Sequence, residues 1–303
     1  MLTVILISVA LVLFLSGNAV RVVKFLRMPT PLRWELYPIP KGPAERQRYG
    51  GSYFEESDWW TKPVKTSHRS EMAFVLKEVL LLRGVWENFR ALWPWSWLLH
   101  WGLYLYVLAT LLAAGELFLP ADASSFGMLH AVVLYGYRLA CSLGLAGALG
   151  LLVMRSRHPR VRAFTTRTRI FDLSLLGSIF ATGMLLLTTG PAGLDKMISD
   201  LVRLPTFLGN HPAVWHIHVA LLAFFLAYFP FTHMTHAYMK YFTWHRVRWD
   251  DTPIAHDPHA AEMLVVNLQR KASWAAPHIA AGSTATWSEV VADADGNGAG
   301  KRA

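Results

Sequence analysis

The chain has 303 residues, 53% of them hydrophobic and only 16% charged, with a net charge of +9 and a mean hydropathy of +0.30. Soluble domains carry about 25% charged residues, so neither a soluble globular protein nor a disordered chain fits. The single cysteine, Cys141, excludes a disulfide framework, a cysteine-ligated zinc site and a protein-held iron–sulfur cluster; the absence of C-x-x-C-H excludes covalent c-type haem. The composition is that of an integral membrane protein.

Five stretches are long and apolar enough to span a bilayer, which takes about 20 residues. The first is 1–20, ended by Arg21, Lys24 and Arg27; a signal peptide carries its positive charges before the apolar run, not after it. Segment 21–91 follows, with a proline-rich loop (Pro29, Pro31, Pro38, Pro40, Pro43). It then has an amphipathic stretch from Glu71 to Leu92, with Phe74, Leu81, Val85 and Phe89 on one helical face, suited to a membrane surface. The second span is expected over 92–119, opened by the interfacial cluster Trp93, Trp95, Trp97 and Trp101. The third covers 127–154 and is interrupted by Arg138. Loop 155–169 leads to the fourth, 170–190, with Asp172 near its start, and loop 191–212 leads to the fifth, 213–239. Tail 240–303 is rich in Ala, Gly and Pro after Ala255 and is expected to have little helix of its own. The chain shows no soluble catalytic domain and no internal repeat.

The positive charge belongs to alternate loops. Segment 21–91 holds 13 Lys and Arg, loop 155–169 holds 6 and the tail from 240 holds 7, whereas 120–126 holds none and 190–212 only Lys196 and Arg203. By the positive-inside rule the bundle has its N-terminus outside and its C-terminus, segment 21–91 and loop 155–169 in the cytoplasm. The basic balance therefore reports topology and anionic lipid, and no nucleic-acid motif accompanies it.

Ionisable residues inside a membrane are costly and are functional candidates by default. Here they are mostly histidine: His100, His130, His216, His218, His233 and His236. His218 and His236 stand 18 residues apart, five turns of an unbroken α-helix, on one face and about 27 Å apart. That is the spacing of two stacked haems, each taking one axial ligand from this helix. Topology offers partners: His100, two turns into the second span, for His236, and His130, one turn into the third, for His218. Bis-histidine ligation inside a helical bundle holds b-type haem. His216 faces away from His218, and His233 sits beside Pro230, in reach of a haem propionate or a quinone. Arg138, about 12 Å deeper than His130, needs a partner: a haem propionate or a carboxylate on a neighbouring span. Cys141 reads as core, and His256, His259 and His278 as solvated tail.

Three segments carry a family resemblance: "LLHWGLYLYVLAT" (98–110), "HPRVRAFTTRTRIFDLSLL" (158–176) and "WHIHVALLAFFLAYFPFTHMTHAY" (215–238). With them the four C-terminal spans resemble the membrane cytochrome b gamma subunit of respiratory nitrate reductase. Segment 21–91 and "YFTWHRVRWDD" (241–251) look more like the branch partnered with heterodisulfide-reductase-like iron–sulfur proteins, including those of sulfite-reductase-associated complexes. The resemblance implies a multi-pass protein of the prokaryotic inner membrane with two b haems. It would exchange electrons between menaquinone or ubiquinone and a cytoplasmic iron–sulfur subunit, heterodisulfide-reductase-like or nitrate-reductase-beta-like. His100 and His236 match the ligand pair of the cytoplasmic-side haem, and His218 one ligand of the outer haem. The other outer ligand, expected ten residues after His100, is Thr110, which leaves His130 as the candidate or as a quinone contact. A haem-free or single-haem anchor docking a soluble reductase or hydrogenase is the alternative. A transporter is disfavoured by the lack of an inverted repeat and of paired broken helices.

Overall fold

The computed structural model describes residues 2–27, 57–58, 61, 68–116, 124–188, 212–244, 258–271 and 285–297. The proline-rich loop, residues 117–119 and 189–190 of the expected spans, loop residues 191–211, His256 and His278 lie outside that set. No strand occurs among the described residues, only an isolated bridge between Lys271 and Thr286. In order the helices are α1 (Leu2–Leu26), α2 (His68–Leu81), α3 (Arg83–Asn88), α4 (Trp93–Glu116), α5 (Ser124–Arg157) and α6 (Pro159–Ala163). They continue with α7 (Arg167–Thr188), α8 (Ala213–Tyr228), α9 (His236–Trp244), α10 (Pro258–Leu268) and α11 (Trp287–Asn297). Five segments are long and apolar enough to cross a membrane: Ile5–Leu26, Trp93–Glu116, Gly127–Arg157, Arg167–Thr188 and Ala213–Phe231. The chain is a multi-pass helical membrane protein.

The chain divides into two compact units: residues up to Arg21 with Ala73–Thr235, and Val22–Met72 with the residues from His236 onward. The first unit holds the bundle. Lipid tails are as apolar as leucine, so spans associate through close packing of small residues and through hydrogen bonds. Helices α4 and α5 do this along their whole length, antiparallel. A methyl group at Gly102 would run into the backbone nitrogen of Gly144, and one at Gly147 into that of Leu99. Nearer the far end Gly136 faces Ala109, and His130 faces Glu116. The register between the two helices is thereby fixed. Helix α7 packs on the other side of α5, with Phe180 over Gly144 and Gly177 against Ala148, and α8 packs on α7. Leu99, Val133, Tyr137, Cys141, Phe180, Leu186, Trp215 and Val219 form the buried centre, with Cys141 in the core as the sequence suggests.

The amphipathic stretch is two helices, not one. Leu82 adopts a left-handed backbone (φ 49°) between α2 and α3, an uncommon conformation for a residue with a side chain. Its side chain is buried. The carbonyls freed at the end of α2 need donors, and the aromatic cluster supplies them. The indole N–H groups of Trp93, Trp97 and Trp101 donate to the carbonyls of Leu81 (2.7 Å), Leu80 (3.0 Å) and Leu80 (3.0 Å). The Tyr104 hydroxyl donates to Val79 at 3.1 Å. The tryptophans thus seat the end of α2 on α4.

The fifth span is also broken. Helix α8 stops at Tyr228, and the 3-10 turns Phe229–Phe231 and His233–Thr235 follow before α9. Pro230 lacks an N–H and cannot continue the ladder. The Arg21 guanidinium, at the end of the bundle part of α1, donates to the carbonyls of Pro230 (2.6 Å) and Thr232 (3.1 Å). Backbone groups inside a bilayer need such internal partners.

The tail carries more helix than its composition suggests, in α10 and α11. Thr286 and Glu289 form a capping box at the start of α11: the Thr286 N–H donates to Glu289 Oε2 at 2.7 Å. These bonds hold the Glu289 carboxyl below its ordinary value.

The α4–α5 contact yields a test. Gly147→Val should overpack the interface and cost about 1–3 kcal/mol, read as a lower midpoint of thermal unfolding in detergent. Gly115→Ala, at a position with open space, should leave the midpoint in place.

Candidate functional site

The fixed register assigns a level to each polar group of the bundle. Loop 158–166 and the flanking Arg155, Arg157, Arg160, Arg162, Arg167 and Arg169 mark one end, the basic end. Helices α4 and α7 start there and α5 finishes there.

His100 lies about 11 Å along α4 from that end, by helix rise. It is half-buried, and its Nδ1 lies 2.6 Å from the Ser96 carbonyl. A carbonyl only accepts, so Nδ1 carries the proton and Nε2 carries the lone pair. Tyr104 packs edge-on against the ring. An imidazole oriented through its second nitrogen is the usual form of a metal-bound histidine, so His100 fits an axial ligand of haem iron. His236 opens α9 in the other unit and is exposed. The break in the span removes the argument that put His218 and His236 five unbroken turns apart on one face. That spacing required α-helix throughout, and six intervening residues are in 3-10 turns.

His218 is completely buried, deeper than expected, at the level of Tyr106 about 20 Å from the basic end. Thr182 Oγ1 donates to the Ser178 or Ile179 carbonyl (2.8 and 3.1 Å), so toward His218 Nδ1 at 2.8 Å it accepts. Nδ1 is therefore protonated, and Nε2 accepts from the Tyr106 hydroxyl at 3.0 Å. Tyr106 in turn packs edge-on against Tyr137 and Phe180, with centroids 5.2 and 6.0 Å away. Thr110 receives the Tyr137 hydroxyl at 2.9 Å and donates to the Tyr106 carbonyl at 2.8 Å. Where the resemblance expects an outer haem, aromatic rings and hydroxyls fill the bundle.

The structure does not bring His130 to His218. His130 Nδ1 lies 3.2 Å from Glu116 Oε2, ten residues and about 15 Å along α4 from Tyr106. Glu116 is buried, and its Oε1 has no hydrogen-bond partner. A two-histidine outer haem thus does not fit these residues: one ligand nitrogen is engaged and the other ligand is at a different level. His130 belongs instead to a carboxylate–imidazole pair at the end opposite the basic loops. Arg138 does not enter the bundle. It is exposed on α5, with its guanidinium 5.7 Å from the centroid of the exposed Tyr135 ring. His216 is exposed while His218 is buried, as their spacing implies.

A second carboxylate–histidine pair lies near the basic end. Asp172 is 3% exposed and accepts from the Tyr228 hydroxyl through Oδ1 at 3.0 Å. His233 Nδ1 stands 3.1 Å from Oδ2 without the alignment of a hydrogen bond, and Oδ2 has no other partner. Sequence reasoning located Asp172 and His233 but did not pair them, and it missed Glu116 and Tyr106. Glu116, a carboxylate within an apolar span, was the available signal. No group of three or more His, Cys, Asp or Glu placed to hold a metal ion occurs among the described residues.

The His218 network has a direct test. Tyr106→Phe keeps the ring and leaves a buried nitrogen unpaired, which should cost about 1–3 kcal/mol. Thr182→Val should cost a similar amount, and the double variant less than the sum, because both act on one imidazole; thermal unfolding of the purified variants measures all three.

Compared with known proteins, the chain matches no family model, no curated protein and no solved structure.

Proposed function

We propose that this chain is the membrane subunit of a respiratory redox complex, exchanging electrons between menaquinone or ubiquinone and an iron–sulfur partner through one b haem with His100 as an axial ligand. The observation that carries the reading is the His100 hydrogen bond to Ser96, which fixes the tautomer and orientation of an imidazole on a spanning helix. A b haem bound there supplies one-electron transfer, the step that links a two-electron quinol to one-electron clusters.

The chain's own residues have definite tasks in this reading. The Ser96 carbonyl fixes the His100 tautomer and ring plane. The arginines of the 155–169 loop form a cationic face for the iron–sulfur subunit, heterodisulfide-reductase-like or nitrate-reductase-beta-like. By the positive-inside rule that face is cytoplasmic, and the family resemblance implies a prokaryotic inner membrane. The Glu116–His130 pair places two proton-accepting groups at the opposite end. The filled level around His218 favours one haem over two.

The filled bundle also supports a second reading, a haem-free anchor for a soluble reductase or hydrogenase. Haem content separates them. Membranes holding the purified complex should contain one b haem per chain, and His100→Ala should remove it. Two haems per chain, with one lost on His218→Ala, would restore the dihaem arrangement; no b haem at all would leave the anchor.

A further inference from the structure

The place where quinone binds follows from the same geometry. With one haem at the His100 level, a quinone at the Glu116–His130 end stands 16 residues, about 24 Å, away along α4. Electron tunnelling falls off exponentially with distance, so that end is poorly placed. The Asp172–His233 pair is nearer. Gly177 lies against Ala148, the neighbour of Gly147, which in turn meets Leu99. Through those contacts Asp172 stands about 10 Å in helix rise from His100.

We propose that Asp172, His233 and Tyr228 form the headgroup site for a hydroquinone that enters from the lipid. The proposal rests on the single-haem reading above. Four observations carry it. Asp172 is buried inside an apolar bundle, yet its Oδ2 accepts no hydrogen bond. An unpaired buried acceptor calls for a donor, and a hydroquinone hydroxyl is one. His233, whose side chain is 39% exposed, has its Nδ1 3.1 Å from that oxygen without being aligned to it. In this proposal the His233 side chain swings aside to admit the headgroup to Oδ2.

The surroundings select a flat apolar ligand. Phe224 stacks on Tyr228 with centroids 5.6 Å apart, and Phe171 meets both rings edge-on at 6.2 and 5.7 Å. Phe171 and Phe224 are about half exposed, on spans whose outer surface is lipid. The polar pair therefore ends an aromatic wall that is open to the bilayer. The break at Pro230, held by Arg21, turns the chain so that His233 reaches Asp172 on the neighbouring span. Irregular backbone at membrane depth is tolerated where it lines a site.

Photolabelling with an azido-ubiquinone or azido-menaquinone analogue, on the complex in native membranes, tests this. Competable label should appear on peptides from 167–188 or 212–244. Asp172→Asn turns one of the two acceptor oxygens into an N–H donor, and labelling should fall about tenfold, the loss of one hydrogen bond. As a second variant that leaves the buried carboxylate in place, Phe224→Ala, at the half-exposed wall, should also weaken labelling while haem content stays intact. Competable label on peptides containing Glu116 or His130 would overturn the location and keep the quinone reading. Competable label on neither end would overturn both.

Discussion

Close approach of α4 and α5 is the constraint on which the rest of the bundle depends. Where Gly102 meets Gly144 and Gly147 meets Leu99, backbone touches backbone, and neither helix can slide without a clash. That contact ties Glu116 to His130 at one end and the tryptophan-seated end of α2 to the other. It also determines that Tyr106, not His130, reaches His218. The chemistry assigned to each histidine is a consequence of this register.

The second governing rule is satisfaction of polar groups without water. The His218 imidazole is held at both nitrogens by hydroxyls whose own protons are accounted for, and the break at Pro230 is closed by Arg21. Against that background two carboxylate oxygens stand out, Oε1 of Glu116 and Oδ2 of Asp172. Each belongs to a carboxylate beside a histidine, one pair at each end of the bundle.

The five spans were legible because length and apolarity alone define them. Levels within the bundle were not. Placing His130 one turn from the start of its span treats all spans as equally sunk, yet α5 has 34 residues, about 51 Å, against a hydrocarbon core of about 30 Å. The five-turn argument for His218 and His236 failed similarly: Pro230 was visible, but its 3-10 turns alter both rise and facing. The Thr286–Glu289 capping box was legible as T-x-x-E, hidden by the Ala, Gly and Pro around it. The tryptophans read correctly as an aromatic cluster, while their task of capping α2 depends on a neighbour that sequence spacing does not reveal.

In the function proposed for this chain the bundle has one haem level, at His100, and side chains fill the other. An optical redox titration of the b-type absorbance in isolated membranes tests it most directly. A single haem level gives a single one-electron component whose whole amplitude disappears with the His100 side chain. Two components of comparable amplitude, one surviving that substitution, would contradict it.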